Sequence, residues 1–382
     1  MQRVRTSNLI PGMITSEDVY SYNNQLIVPK GTVLNDKVIT RLEFYSVLAI
    51  HVEDEIATSE KNTSSSLDSD TIPNPFGTVK EVSFSDIPEK LSYSERIKET
   101  TQFKEFKKNF LSNTEALKGN LRAVIDNNTP INIDSMMKSV TDTISEGSTS
   151  IGIFDMLHNM RNYDDLTYVH SMNVSIICNI FGQWLGLNDD DLKILTMAGL
   201  LHDIGKILIP EEIIKKPSKL TDAEYNIIKT HTLQGYSILK GQPIDERIKN
   251  AALLHHERSD GSGYPLGYDD EKIPEYAKIV SIADVYDAMT AARVYRGPLC
   301  PFKVVSIFEA EGFQKYNSRL ILTFLEHVCQ TYINNRVKLS DGTIGDIIML
   351  NRNSLSKPVI KTLDGEVINL EEKRDITIES LI

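Results

Sequence analysis

Histidine is concentrated in one part of this 382-residue chain, and this concentration constrains the fold more than any other feature of the sequence. Five of the eight histidines lie in a region that otherwise has the Leu- and Ile-rich periodicity of packed helices. They are His170, His202, His231, His255 and His256. A buried imidazole without a partner is costly, so a fold that packs this region has to supply these rings with partners.

The segment that precedes His202 indicates that its ring points into the protein. Leu192, Leu195, Ala198 and Gly199 fall near one face of a predicted helix, and His202 lies on the same face. For any single histidine of the five, an ordinary core residue satisfied by a hydrogen bond explains such a position. Five together favour a shared function.

Adjacent donor residues suggest that this function is metal binding. Neutral imidazole and carboxylate suit first-row divalent ions, and the sequence contains the pairs His202-Asp203 and His255-His256. Neighbours on a helix lie about 100° apart, so both members of a pair can face one cavity while they reach different ions. The pairs therefore suggest two metal ions. Asp203, in the middle of the set, is the best candidate for a carboxylate that bridges them.

The residues that follow Asp203 suit phosphate chemistry. Gly205 lets another backbone approach closely, and Lys206 supplies a positive charge for a phosphoryl oxygen. The same two residues also fit a helix end, with Gly205 as its cap and Lys206 at its negative pole. The two interpretations are compatible.

A second run of polar residues, His255 to Pro265, joins a helix end to a loop shaped by glycine and proline. Tyr264 on such a loop can stack on a flat base, although packing also explains a tyrosine at this position. Downstream, the apolar helix predicted from Ile279 to Met289 carries Asp284 and Asp287, one of which could add a carboxylate ligand.

Two arginines follow that helix. Arg293 and Arg296 suit bidentate binding of phosphate, and they equally suit solvation or pairing with nearby carboxylates.

Composition narrows the class of protein. Lys and Arg total 41 against 53 Asp and Glu, a net charge of −12 that repels phosphate backbones, so bulk nucleic acid is not expected as a partner. Cys178, Cys300 and Cys329 are too widely spaced for a disulfide framework or a thiolate metal site, which fits a reducing cytoplasm. No run approaches the roughly 18 consecutive apolar residues of a membrane span, so we expect no membrane insertion.

Periodicity and composition divide the chain into five parts, and the predicted fold is mainly α. The first part is expected to contain a helix from Asn35 to Tyr45. The parts are a small α+β domain of unknown role (1–55), a flexible linker (56–92), a helical connector (93–146), a helical bundle with all the chemistry (147–335) and a short β-rich appendage (336–382).

From about Asp164 to Arg296 the sequence closely resembles the HD-GYP domain, a branch of the HD phosphohydrolases. The matching motifs are Thr167 with His170-Ser171, His202 to Lys206 with Pro210, Lys216-Pro217 to Leu220-Thr221, His231 with Gly235, His255 to Pro265, and Ala283 to Ala288.

The resemblance implies a helical HD-type bundle with a dinuclear site, often of iron or manganese. Such domains hydrolyse the bacterial second messenger cyclic di-GMP to linear pGpG and on to GMP. Two ions that lower the pKa of a bridging water from about 15.7 to near 7 would create the attacking hydroxide. Cyclic di-GMP is the implied ligand, and a second copy of the chain or other signalling proteins are the implied macromolecular partners.

The resemblance also assigns roles to residues. Asp203 would bridge the two ions, and Lys206 would contact the scissile phosphate. Arg293 and Arg296 would hold the substrate. One ion would be bound by His170, His202, Asp203 and Asp284, the other by Asp203, His231, His255 and His256, while Tyr264 and Pro265 would lie in the recognition loop.

Three positions depart from the family pattern. Leu166 stands where some members have a Glu that binds a third metal, so two ions are expected. The usual Arg-Pro-Tyr-Arg run appears as Arg293-Val294-Tyr295-Arg296, and Lys278 stands where Arg is common.

Two other functions stay open. One is a non-catalytic cyclic di-GMP sensor or protein-interaction module, against which the complete ligand set argues. The other is an HD phosphohydrolase that acts on a different cyclic dinucleotide or on a mononucleotide.

Overall fold

The computed structural model describes residues 2–5, 9–10, 12–20, 26–34, 49–53, 93–147, 152–160, 166–216, 218–291, 299–373 and 375–382. The chain divides into two compact units, Met1–Ile72 and Pro73–Ile382. The predicted helix from Asn35 to Tyr45 and the predicted linker at 56–92 lie outside the described residues.

The first unit contains two short antiparallel strand pairs. Strand β1 (Gln2–Arg5) pairs with β4 (Ala49–Val52), and β2 (Val19–Tyr20) pairs with β3 (Leu26–Val28). Apolar residues from these strands and the neighbouring turns form a small core of their own, made of Leu9, Val19, Val28, Leu34, Ile50 and Val52.

The second unit is mostly helical. Its helices are α1 (Tyr93–Glu99), α2 (Thr101–Asn127), α3 (Ile133–Gly147), α4 (Ile153–Asn159), α5 (Leu166–Trp184), α6 (Asp189–Leu201), α7 (Glu211–Ile214), α8 (Asp222–Lys229), α9 (His231–Leu239), α10 (Glu246–Leu254), α11 (Glu275–Thr290), α12 (Pro301–Ile307), α13 (Phe313–Lys315) and α14 (Ser318–Gln330). A 3-10 turn, Ile204–Leu208, follows α6, and a π-helical turn, Phe308–Gly312, follows α12.

Helix α2 shows how the sequence pattern produces this packing. Its aromatic residues Phe103, Phe106 and Phe110 recur at the spacing of one helical face, and all three are buried. The Thr100 side chain caps the first turn by accepting a hydrogen bond from the Phe103 amide at 3.2 Å. The helix ends at Asn127, and the C-cap residue Asn128 has a left-handed φ of 49°.

Helices α5, α6, α9, α10 and α11 pack around the candidate site. Helix α5 contacts α6 and α11, and α10 contacts α6, α9 and α11. Farther from the site, aromatic rings fill the interface between α5, α11 and α14: Phe181 lies 5.0 Å and Tyr286 5.1 Å from Phe324, measured between ring centres. This core fixes the helix ends that carry the candidate ligands.

The chain finishes with a five-stranded antiparallel sheet in the order β8-β7-β6-β5-β9. The strands are β5 (Arg336–Leu339), β6 (Ile344–Asn351), β7 (Ser354–Thr362), β8 (Val367–Asn369) and β9 (Ile378–Leu381). Strand β7 contacts helices α12 and α14, and the Ser356 hydroxyl donates a hydrogen bond to Glu309 at 2.5 Å. The predicted mainly α fold with a β-rich C-terminal appendage is confirmed.

Within the described ranges, none of the helices combines the length and the hydropathy that a bilayer-crossing segment needs.

Candidate metal centre

The five clustered histidines and two aspartates converge where five helix ends and faces meet. Helix α5 carries His170, the end of α6 leads into His202 and Asp203, α9 begins at His231, α10 leads into His255 and His256, and α11 carries Asp284. Their ligand atoms form two groups, each with all atoms within 4.8 Å of one another. One group is His170, His202 and Asp284; the other is Asp203, His231, His255 and His256.

Asp203 lies between the two groups. Its Oδ2 is 3.2 Å from His202 Nε2 and 3.5 Å from His170 Nε2. Its Oδ1 is 3.3 Å from His231 Nε2 and 3.7 Å from His255 Nε2. One carboxylate oxygen therefore faces each group, which is the arrangement that a bridging ligand needs.

Backbone carbonyls orient three of the rings. The Nδ1 atoms of His202, His231 and His255 lie 2.8, 2.6 and 3.0 Å from backbone carbonyl oxygens three or four residues earlier in the chain. With the Nδ1–H donating to these oxygens, each ring presents the lone pair of Nε2 to the centre. The helix ends thus select the tautomer that can bind a cation.

Burial and mutual repulsion keep three of the imidazoles neutral. Burial lowers the pKa of His231 to about 3, and burial also lowers the pKa of His255 and of His256. Neutral imidazole is the form that binds a metal ion. These three rings are therefore available as ligands at neutral pH.

The two aspartates stay ionised although they are buried. Burial by itself would raise the pKa of Asp203, but His202 and Lys206 hold it well below its usual range. Burial likewise opposes ionisation of Asp284, and hydrogen bonding to His170 holds its pKa well below its usual range. Two buried carboxylates with mostly neutral neighbours create a strong local demand for positive charge.

The raised pKa of His170 is a second sign that this site favours positive charge. Burial would lower its pKa, but hydrogen bonds to Asp284 and Asp287 outweigh burial and raise the pKa to about 9. Its Nε2 lies 3.0 Å from Asp284 Oδ1 and its Nδ1 lies 2.7 Å from Asp287 Oδ2. A position that attracts a proton between carboxylates also attracts a metal cation.

Two buried polar atoms at the centre fit a bound cation. Among the described residues, His202 Nε2 and Asp203 Oδ1 are buried and have no hydrogen-bond partner. Such atoms are costly unless something coordinates them. A divalent cation in each group would satisfy both, so the donor set and the unpaired atoms fit metal binding.

A polar relay behind His170 holds its ring. Asp287 accepts from His170 Nδ1 and, at 3.0 Å, from Asn173 Nδ2. Asn173 and Asp287 each lie three residues after a member of the first group, on the same helical face as that residue. This carboxylate–histidine pair is the usual support of a metal-binding imidazole.

Gly205 permits the close contact between the 3-10 turn and helix α9. A Cβ at position 205 would lie 2.0 Å from the His231 carbonyl oxygen and 2.5 Å from the Gly235 nitrogen. No side chain fits there, so glycine lets Asp203 and His231 approach each other. Lys206, on the same turn, donates to Asp203 Oδ2 at 2.5 Å and lines the adjoining cavity.

The loop after His256 is fixed by the buried Glu257. Its carboxylate accepts hydrogen bonds from the amides of Leu266, Gly267 and Tyr268 at 2.6, 3.1 and 2.9 Å. Gly263 packs against this turn so closely that a Cβ would lie 2.4 Å from Glu257 Cα. The loop therefore has a defined shape before any ligand binds.

Tyr264 is placed by this loop against the second group. Its ring stacks on His256 with ring centres 4.7 Å apart and 29° between the planes. Tyr264 lines the cavity, whereas Pro265 is not among the described residues that do so. One face of the Tyr264 ring is thus already covered by an imidazole.

The centre opens into a cavity of about 1040 Å³. Ligand pockets typically measure roughly 300–1,000 Å³, so the space suffices for a ligand larger than a single phosphate. His170, Asp203, His231, His256 and Asp284 all reach this cavity. Arg293 and Arg296, which the family resemblance predicts to hold the substrate, lie outside the described residues.

Asn173 and Glu257 escaped assignment from the sequence, and Asp287 was considered there only as an alternative to Asp284 as a metal ligand. The i, i+3 spacing of Asn173 from His170, and of Asp287 from Asp284, is a signal that could have indicated the relay. The role of Glu257 depends on where the amides of three loop residues point. No pattern in the sequence reports this feature.

Comparison with known proteins identifies relatives of the region that contains this centre. Residues 155–320 match the model of the HD domain. The chain is 32% identical over 203 residues to a cyclic di-GMP phosphodiesterase of Pseudomonas aeruginosa, a match that covers 53% of this chain and 49% of that protein. The resemblance drawn from the motifs is confirmed.

Two further relatives match shorter segments. The cyclic di-GMP phosphodiesterase response regulator RpfG of Xanthomonas campestris pv. campestris is 44% identical over 126 residues, 32% of this chain and 33% of that protein. The 3'3'-cGAMP-specific phosphodiesterase 1 of Vibrio cholerae is 41% identical over 148 residues, 38% of this chain and 34% of that protein. The chain spans half or less of the length of these curated relatives.

Replacing Gly205 with alanine is expected to disturb the centre through the backbone of α9. The new Cβ must push the His231 turn away, at a cost of about 1–3 kcal/mol or more. The midpoint temperature of thermal unfolding and the metal content should both fall. Gly119→Ala is the matched control, because a Cβ there meets nothing within 4 Å and alanine favours the interior of α2 by roughly 0.5–1 kcal/mol. Normal stability and metal content in Gly205→Ala would refute the packing argument.

Removing the carboxylate behind His170 should weaken metal binding. Asp287→Ala is expected to lower the affinity for Mn²⁺ by about 10- to 100-fold, because the imidazole loses the acceptor that orients it. Asp287→Asn, which keeps an acceptor oxygen, should fall between the wild type and the alanine variant. Competition with a chelator measures all three, and the exposed Asp126→Ala serves as control. Equal affinities in a folded Asp287→Ala protein would show that the relay does not support the ligand.

Proposed function

We propose that the protein is a metal-dependent phosphodiesterase that hydrolyses a cyclic dinucleotide, because residues 155–320 match the model of the HD domain. The observation that carries the proposal is the position of Asp203 between two groups of metal-type donors. In this proposal two divalent ions, iron or manganese, bind the two groups.

The two groups of donor atoms support the ligand assignment that the resemblance implies. His170, His202, Asp284 and Asp203 Oδ2 would hold one ion, and Asp203 Oδ1, His231, His255 and His256 would hold the other. A metal count of two is supported by the sequence, because Leu166 occupies the position at which some family members place a third-metal glutamate. When bound, such ions act as Lewis acids toward phosphoryl oxygens and lower the pKa of water from about 15.7 to near 7.

The protein's own groups complete the chemistry. Asp203 stays ionised and so can share its two oxygens between the groups. The Lys206 ammonium, next to Asp203 and exposed to the cavity, is placed to offset negative charge that develops on a phosphoryl oxygen. The loop held by Glu257 limits one side of the cavity with Tyr264.

The substrate class is supported by the relatives and by the cavity. Matched relatives are named for cyclic di-GMP and for 3'3'-cGAMP, both of which are cyclic dinucleotides. We propose cyclic di-GMP as the substrate and linear pGpG, followed by GMP, as the products, because the His255 to Pro265 signature resembles that of the HD-GYP branch. A cavity of about 1040 Å³ has room for a molecule of this size.

The activity is tested with purified protein loaded with Mn²⁺ or, anaerobically, with Fe²⁺. Cyclic di-GMP and 3'3'-cGAMP are incubated separately, and chromatography resolves the products. Turnover of cyclic di-GMP to pGpG and GMP is the expected result. Faster turnover of 3'3'-cGAMP would move the proposal to that substrate, and hydrolysis of neither by metal-loaded protein would refute it.

Two variants separate metal binding from catalysis. Asp203→Ala should abolish turnover and lower the bound metal, because it removes the shared ligand. Lys206→Ala should retain the metal and lose roughly 10²–10³-fold in kcat, as for loss of one preorganised donor to a developing oxyanion. The exposed Lys240→Ala controls for loss of a surface charge. Full activity of a folded, metal-free Asp203→Ala protein, or unchanged kcat in Lys206→Ala, would contradict these roles.

A further inference from the structure

The metal centre forms only part of the cavity surface, and another part is apolar. Apolar side chains between the 3-10 turn and the end of α8 line the cavity. We call this surface the apolar wall, and it consists of Ile209, Ile213, Ile214, Leu220, Tyr225 and Ile228.

Most of the apolar wall is not part of the protein core. No residue of α7 or α8 is buried, and the Tyr225 side chain is 48% exposed although it lines the cavity. Covering apolar surface with a ligand removes it from water and lowers the free energy of the complex. The wall therefore favours a ligand with a flat or apolar part in addition to the anionic part that a metal centre attracts.

Tyr225 is linked to the metal centre through a short row of side chains. The Lys229 ammonium lies 5.3 Å from the ring centre of Tyr225 and 6.0 Å from that of Tyr264. Tyr264 in turn stacks on His256. Because His256 covers one face of Tyr264, the more exposed Tyr225 ring is the better platform for a flat group of a ligand.

The wall is held in place before a ligand binds. Lys216 donates to both carboxylate oxygens of Glu224 at 2.7 Å, and the Thr221 amide donates to Glu224 Oε2 at 2.8 Å. Thr221 and Glu224 form a capping box at the start of α8. Lys216 lines the cavity with its charge paired with Glu224. Ser218, Lys219 and Asp222 also line this side, so the apolar wall has a polar edge.

We infer that Tyr225 stacks on one nucleobase of the substrate while a phosphate of the same molecule lies at the metal centre. The inference rests on the proposed function for the identity of the ligand as a nucleotide. It makes Tyr225 a specificity residue, one that favours a nucleotide over a bare phosphate. Aromatic rings stack on any base, so Tyr225 contributes affinity without selecting guanine over adenine.

The test is calorimetry on the metal-loaded full chain with GMP and, separately, inorganic phosphate. Tyr225→Ala should weaken GMP binding by roughly 5- to 100-fold, the range for loss of one base-stacking ring, and leave phosphate binding unchanged. Tyr225→Phe keeps the ring and should bind GMP like the wild type. Ile227→Ala is the matched control, since Ile227 is exposed on the same helix and is not among the described residues that line the cavity.

Two results would overturn the inference. If the ring is the platform, its loss must weaken GMP binding, so wild-type GMP affinity in Tyr225→Ala refutes the inference. A parallel loss of GMP and phosphate affinity refutes it as well, because it shows a displaced helix rather than a lost stacking surface. Turnover of cyclic di-GMP, measured on the same samples, separates the two proposals. If the wild type binds GMP more tightly than Tyr225→Ala does but hydrolyses no cyclic di-GMP, only the proposed function is contradicted.

Discussion

The Asp203 carboxylate, buried between two sets of imidazole nitrogens, is the interaction on which the site depends. Its oxygens lie 3.2 Å from His202 Nε2 and 3.3 Å from His231 Nε2. A buried carboxylate needs compensating positive charge, and here most of the surrounding rings are neutral. The close packing of the 3-10 turn on α9, which only glycine at position 205 permits, brings these groups together.

The same electrostatics explain how an acidic chain could attract the anionic substrate of the proposed function. The chain carries a net charge of −12, which disfavours phosphates in general. Two ionised aspartates concentrate part of that negative charge inside the cavity, where it recruits cations. Metal ions bound there, together with Lys206, would reverse the local field. In the proposed function, the acidic interior is therefore the means by which a phosphate site would be built.

Much of this arrangement could be predicted from the sequence, for identifiable reasons. Helical periodicity and the motif spacing predicted the mainly α fold and the family, both of which are confirmed. The predicted ligands converge in the structure, while their roles stay predictions. The contact between His170 and Asp287, which are 117 positions apart, depends on how α5 packs on α11. The exposure of the Tyr225 ring depends on the absence of another described element packed over it. A local sequence pattern contains neither kind of information.

The most direct test of the account is a crystal structure of the protein grown with Mn²⁺, with anomalous scattering used to locate the metal. The account predicts two peaks: one among His170, His202 and Asp284, and one among His231, His255 and His256. Asp203 should contact both. A single peak, or two peaks that do not share Asp203, would contradict the claim that this carboxylate joins the two groups into one centre.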